Sequence, residues 1–304
     1  MEKRLNVTVP EGMDGKTVKD AARSLLSLSS TRLKKAKKIE GGITVNGKSV
    51  FVTHRLQAGD ALSIVIEEEG AVSENVVPVM GEMDVEYEDA DIMVICKPAN
   101  MPVHPSAGHY DDSLANRYAA KYGGVFRPVN RLDAGTSGLM VAAKDAHVHA
   151  LLCKALHTGD FERRYLAVAE GAFEAAEGTV DAPIARAEGS AIKREVRADG
   201  QEAVTHYRVI ANNGRFSLVE LLLETGRTHQ IRVHMAHLAH PLVGDFLYGK
   251  EDEALIGRAA LHAWKIRLKH PITGEMLEFI REMPEDMQRL MKTEAEENAA
   301  HHNA

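Results

Sequence analysis

Two cysteines, one tryptophan and no apolar run of the ~20 residues needed to cross a bilayer are what this chain has little of or lacks. Cys96 and Cys153 stand far apart in apolar stretches, without the paired spacing of a metal site. They are expected to be buried thiols in a reducing compartment. The start, Met1-Glu2-Lys3-Arg4, leads into no signal-like apolar segment, so the expected location is the cytoplasm, away from membranes. What is present, 44% hydrophobic and 27% charged residues over 304 positions, is the make-up of an ordinary globular protein of roughly two domains.

A net charge of −7 would argue against a polyanionic partner if the charge were evenly spread. It is not. Residues 1–67 carry twelve Lys and Arg against seven Asp and Glu, a local balance of +5 (12 − 7). Nucleic-acid affinity follows such a patch rather than the whole-chain sum.

In chain order, residues 4–9 alternate as a strand, and Val18, Ala21, Ala22, Leu25 and Leu26 predict a helix over 17–28. A second helix is expected from Ser30 to about Ile39, with Lys34, Lys35, Lys37 and Lys38 crowded on it. Asn46-Gly47 marks a hairpin corner, and Ala61 to Ile66 reads as the next strand. Residues 68–82 form a polar linker. Strands are then expected at 85–87 and 92–96, and a helix carrying Leu114 and Tyr118 is capped by Asp112. Further strands fall at 139–143, 164–169, 205–210, 217–223, 260–268 and 275–280. A helix follows Asp145, the basic stretch 192–201 is a mobile loop, and a short helix closes the domain at 284–291. Hairpins interleaved with single helices predict an α+β domain over 83–292 on a mixed, mainly antiparallel sheet. The tail 293–304 is expected to be disordered.

Two constellations carry chemistry. Asn130-Arg-Leu-Asp-Ala-Gly-Thr-Ser-Gly-Leu139 places Asp133 in a tight, hydroxyl-rich loop at the entrance of an apolar strand. An Asp ahead of a Gly also starts ordinary turns, so the position alone does not decide its role. The second stretch, Gly226-Arg-Thr-His-Gln-Ile-Arg-Val-His234, follows a strand directly. Gly226 is expected to allow a sharp entry to a helix that Thr228 caps. His229, His234, His237 and His240 make metal ligation a competitor, but no Glu or Asp is interleaved as base or ligand, so no metal is expected.

The two stretches, with Arg-Tyr-Leu-Ala-Val at 164–168, Lys97-Pro98 and Gly-Asp-x-x-Tyr-Gly at 244–249, resemble the RluA-type pseudouridine synthases over about residues 83–282. The helix-helix-hairpin-strand order of residues 1–67 resembles the αL-type RNA-binding motif, a pairing typical of the branch similar to RluD, which modifies large-subunit ribosomal RNA. The resemblance implies a pseudouridine synthase fold preceded by a small αL-type domain, acting as a monomer on RNA without a cofactor. It makes Asp133 the catalytic aspartate, Tyr165 the active-site tyrosine and Arg232 the partner of the carboxylate. Arg131 then contacts RNA and fills the gap left by a flipped base, Arg227 and His229 join the substrate contacts, and the four lysines hold a more distant RNA segment. Three positions depart from the family pattern: Asn130 where His is common, Ala134-Gly135 where the pair often ends in an acid, and Asn100 where a Lys-Pro-Ala-Gly turn has Gly. A non-catalytic RNA-binding or ribosome-assembly protein and a histidine-based metalloenzyme are the rival classes.

Overall fold

A computed structural model of the chain describes residues 2–67 and 76–292. Most of the expected linker, residues 68–75, and the expected disordered tail, 293–304, lie outside the described residues. The chain divides into two compact units, Met1–Ala71 with the short Asp145–His147 segment, and the remainder. Among the described residues no helix is long and apolar enough to cross a membrane.

The smaller unit comprises β1 (Glu2–Thr8), α1 (Val18–Ser24), α2 (Ser30–Ala36), β2 (Ile43–Val45), β3 (Lys48–Ser49) and β4 (Ala61–Glu67), with sheet order β1-β4-β2-β3. Thr17 and Asp20 form a reciprocal cap that starts α1. Val18, Ala21 and Ala22 of that helix, and Leu33 and Ala36 of α2, are buried with Leu62 and Ile64 of β4. Asn46 and Gly47 both take positive φ, 50° and 79°, the conformation a two-residue hairpin requires. Both helices are shorter than expected, because the apolar periodicity runs on past the last helical hydrogen bond.

The larger unit begins with β5 (Asp84–Glu88), β6 (Ile92–Lys97), α3 (Leu114–Tyr122), β7 (Arg127–Pro128), β8 (Ser137–Ala143) and α4 (Ala146–Ala155). It continues with β9 (Phe161–Glu170), β10 (Glu177–Asp181), β11 (Ile184–Arg186), β12 (Arg194–Val196), β13 (Val204–Asn212) and β14 (Phe216–Leu223). The last elements are α5 (Gln230–His237), β15 (Leu261–Lys269), β16 (Met276–Ile280) and α6 (Glu285–Leu290). Its main sheet runs β10-β13-β14-β9-β15-β8-β6-β5, with β16 also on β15 and β7 on β8. Only the β15–β8 pair is parallel among the described ladders, so the sheet is mixed and mainly antiparallel. Alternation sorts the central strands onto two faces. Met93, Ile95, Met140 and Ala142 pack with Leu114, Tyr118, Ile231 and Met235 of α3 and α5. Ile92, Val94, Leu139 and Val141 pack with Val148 and Leu152 of α4 on the other side. β8 is therefore buried along its whole length.

Two local expectations are corrected. Ser113, not Asp112, caps α3, its hydroxyl accepting from the Asn116 N–H while the Asn116 side chain answers. The helix begins one residue later than expected, and Asp112 instead pairs with His109 at 2.6 Å. The stretch 192–201 is not simply a loop either. Residues 194–196 form β12 and pair with β11, and Val196 packs with Ile184, Ala203 and Val233, the last on α5. That tertiary support is invisible in a run of polar residues.

Gly138 sits at φ 109°, and a Cβ there would stand 2.2 Å from the Ala263 carbonyl oxygen across the parallel ladder. Gly138→Ala should lower stability by about 3 kcal/mol, read by urea unfolding through Trp264 on β15. At Gly135 a Cβ would meet its nearest neighbour at 3.7 Å. Gly135→Ala should stay within about 0.5 kcal/mol, and an equal loss at both would show that the close approach is not the reason.

Candidate active site

The register of the sheet assembles the separate motifs. Gly138 on β8 pairs with Ala263 on β15, Ala263 with Tyr165 on β9, and Tyr165 with Leu221 on β14. One row across four strands thus brings the end of the Asp133 loop, Tyr165, and the strand feeding the 224–229 turn to one place. α5 follows that turn and carries Arg232 in its first turn.

Buried basic side chains brace the Asp133 loop. The Lys97 amine is fully buried and donates to the carbonyls of Pro98, Met101 and Ala134 at 2.8–2.9 Å. Burial pushes it down to about 7, and the Asp133 charge pulls the other way. Arg258, bidentate to Asp286, reaches the Gly135 carbonyl with Nη1 at 3.2 Å. Asn130 accepts the Val141 N–H at 2.8 Å, while its own Nδ2 is enclosed without a partner. Asn100 takes φ 60°, as the turn there requires.

Arg232 is the centre of the site. Its Nε and Nη2 each lie 2.7 Å from the Asp245 carboxylate, whose side chain is 0% exposed and also accepts the Leu247 and Tyr248 N–H groups. The remaining Nη1 stands 3.4 Å from Asp133 Oδ2, and Asp133 keeps 29% of its side chain exposed. Burial opposes the guanidinium charge, but the Asp245 hydrogen bonds and then the two carboxylate charges outweigh it, holding Arg232 above its ordinary range. The cation also faces the Tyr248 ring at 5.1 Å.

His229 approaches the same carboxylate, Nε2 to Asp133 Oδ2 being 3.9 Å. The Tyr248 hydroxyl accepts the Arg194 N–H at 2.8 Å and stands 2.8 Å from His229 Nδ1, and a hydroxyl proton given to Nδ1 leaves the neutral ring's own proton on the nitrogen facing Asp133. Burial lowers the His229 pKa, favouring that neutral form. His229 also starts α5, at φ 60°. The expected Thr228 cap is absent, and the Gln230 side chain holds the turn instead, accepting from the Arg227 N–H and the Thr225 hydroxyl. Ala239 turns into positive φ, so the helix stops short of Pro241.

Tyr165 is buried, and burial raises its pKa further above the phenol range, with Asp133 adding to the shift and Arg163 opposing it. A cavity of about 900 Å³ is lined by Asp133, Tyr165, Arg232, His229, Arg131 and Arg227, within the size range of ligand sites. Arg131 is exposed at its edge, and Arg227 is tied by Nε to the Glu202 carbonyl. Lys34, Lys35, Lys37 and Lys38 belong to the smaller unit, in α2 and the turn after it. His234 uses both ring nitrogens within the fold, on Thr205 and Ala182, and His240 stacks on Phe173. The sequence had singled out neither Asp245 as the main partner of Arg232, nor Tyr248, nor Arg258. Only the Gly-Asp-x-x-Tyr-Gly pattern hinted at the first two.

Asp245→Asn should strand a buried guanidinium and lower stability by about 3 kcal/mol, measured by urea unfolding. A loss below about 1 kcal/mol would mean that Asp133 alone suffices to hold Arg232.

The chain is similar to known proteins over most of its length. Residues 91–237 match the family model described as RNA pseudouridylate synthase. The chain is 40% identical over 302 residues to an uncharacterized RNA pseudouridine synthase, YhcT, of Bacillus subtilis, spanning 95% of this chain and 97% of that one. It is 38% identical over 310 residues to ribosomal large subunit pseudouridine synthase D of Escherichia coli O6:H1, spanning 95% and 94%. The solved structure of human RNA pseudouridylate synthase domain containing 1 is similar with a TM-score of 0.57 and 25% identity, over 66% of this chain and 83% of that one. Relatives at this identity along nearly the whole length leave one conclusion: the chain belongs to the RNA pseudouridine synthases, a family of isomerases.

Proposed function

We propose that the protein isomerises uridine to pseudouridine in large-subunit ribosomal RNA, with Asp133 as the catalytic carboxylate, Arg232 as its counter-ion and Tyr165 as the wall beneath the freed base. The observation that carries the assignment is the 3.4 Å approach of Arg232 to a partly exposed Asp133 in a cavity that Tyr165 also lines. The ribosomal substrate is supported by the relatives that bear that name.

The reaction breaks the N1–C1′ bond, turns the uracil, joins C5 to C1′ and moves one proton from C5 to N1, so atoms balance without a redox partner. Asp133 acts on the ribose as the glycosidic bond breaks, and the guanidinium beside it holds it in place. The detached uracil rests against the Tyr165 ring. Because burial keeps the phenol neutral, its hydroxyl relays a proton rather than standing as a phenolate. His229 meets the sugar with the N–H that faces Asp133.

A base inside stacked RNA has to be flipped to reach this cavity, and Arg131 at its edge fills the space left behind. Arg227 holds a phosphate, and Lys34, Lys35, Lys37 and Lys38 of the smaller αL-type unit, residues 1–67, hold a more distant stretch. The enzyme acts as a monomer in the cytoplasm, with no cofactor. Asp133→Asn should reduce pseudouridine formation by at least about 1,000-fold while RNA affinity stays within about threefold, measured by single-turnover assay and filter binding on large-subunit RNA. Unchanged pseudouridine yield would leave the non-catalytic, ribosome-assembly reading standing.

A further inference from the structure

Of the three buried arginines among the described residues, two have carboxylates: Arg232 holds Asp245 and Arg258 holds Asp286. The third, Arg163, has none. It is 7% exposed, its Nε is enclosed without an acceptor, and among the described residues its guanidinium makes neither a hydrogen bond nor an ion pair. Strand alternation puts it on the same face of β9 as Tyr165, two residues on, and it lines the same cavity. Its neighbours Glu162 and Arg164 lie on the other face and pair with each other at 2.7 Å.

Gly226 makes room for it. A Cβ at that position would stand 3.1 Å from Arg163 Nη1 and 4.0 Å from Nη2 and Cζ. Gly226 does not take positive φ, so the turn itself does not demand glycine, and the expected role as a sharp entry to α5 is replaced by a steric one. A bare backbone thus borders one side of a planar cation whose forked N–H groups have no acceptor among the described residues.

A buried charge left without compensation destabilises the free protein, and such a group persists where a ligand supplies the missing charge. We propose that Arg163, seated against Gly226, binds a backbone phosphate of the RNA next to the nucleotide that enters the cavity. The guanidinium fork suits two phosphate oxygens, and Arg227, next to Gly226, adds a second cation to the same wall. Arg163 thereby fixes the ribose of the target relative to Asp133 through the phosphate attached to it. This rests on the functional assignment above and adds to it the contact that places the sugar.

The test uses Arg163→Met and Arg163→Lys in the full chain. RNA affinity is measured in an Asp133→Asn background, so that the phosphate contact is judged apart from catalysis. Arg163→Met should raise the melting temperature of the free protein, because an uncompensated buried charge is gone. It should also weaken binding of target-containing RNA at least about tenfold and reduce the slope of log affinity against log salt by about 0.7, the value for one single-strand phosphate. Arg163→Lys, which keeps the charge, should retain the slope and lose less affinity. A lower melting temperature for Arg163→Met, with affinity and salt slope unchanged, would make Arg163 a packing residue and overturn the proposal. If Asp133→Asn proves fully active, the catalytic assignment falls while the binding measurements still decide the phosphate seat.

Discussion

One guanidinium divided between two carboxylates sets the geometry of this molecule's site. Arg232 gives its bidentate edge to Asp245, which is sealed from water and fixed by two backbone N–H groups, and only its remaining nitrogen to Asp133. Asp133 feels a positive charge at 3.4 Å and still keeps part of its surface open. The buried pair is thus a scaffold for the looser one, a use of a desolvated ion pair that favours specificity over stability.

The sheet supplies the rest of that geometry. Because Gly138, Ala263, Tyr165 and Leu221 share one row, residues as far apart in sequence as Gly138 and Ala263, 125 positions (263 − 138), are neighbours before any side chain acts. Two further buried basic side chains, Lys97 and Arg258, hold the loop carrying Asp133 by the Ala134 and Gly135 carbonyls. The β11–β12 hairpin reaches the same carboxylate through the Arg194 N–H, the Tyr248 hydroxyl and His229. Arg163 stands out against this background, an arginine of equal burial with no carboxylate partner among the described residues and an enclosed Nε that has no acceptor there.

Much of this was legible in the amino-acid sequence, in the parts where local pattern decides. Alternation located β4, β6, β8, β9 and β14 because apolar runs flanked by turn residues have few other solutions, and Asn46-Gly47 marked its corner for the same steric reason. What stayed hidden depends on tertiary partners. β12 exists because Val196 finds cover near α5, which its polar flanks do not announce. The cap of α3 falls on Ser113 rather than Asp112, since Asp and Ser both make good caps and only the chain path selects between them, and α5 has no Thr228 cap because the Gln230 side chain holds its turn. Asp245 was visible as part of a motif, but no spacing rule says that it, thirteen residues beyond Arg232, takes the larger share of the guanidinium. Arg163 carried no signal, because an arginine on a strand is read as a surface residue until its burial is known.

The division of Arg232 between its two partners is tested most directly by Arg232→Lys, which keeps the charge but offers a single ammonium that cannot grip Asp245 at two points and still reach Asp133. Single-turnover pseudouridine formation on large-subunit RNA should fall by at least about 100-fold with RNA affinity unchanged. A rate within about threefold of the wild type would show that any nearby positive charge serves Asp133, and that the shared guanidinium does not set the site.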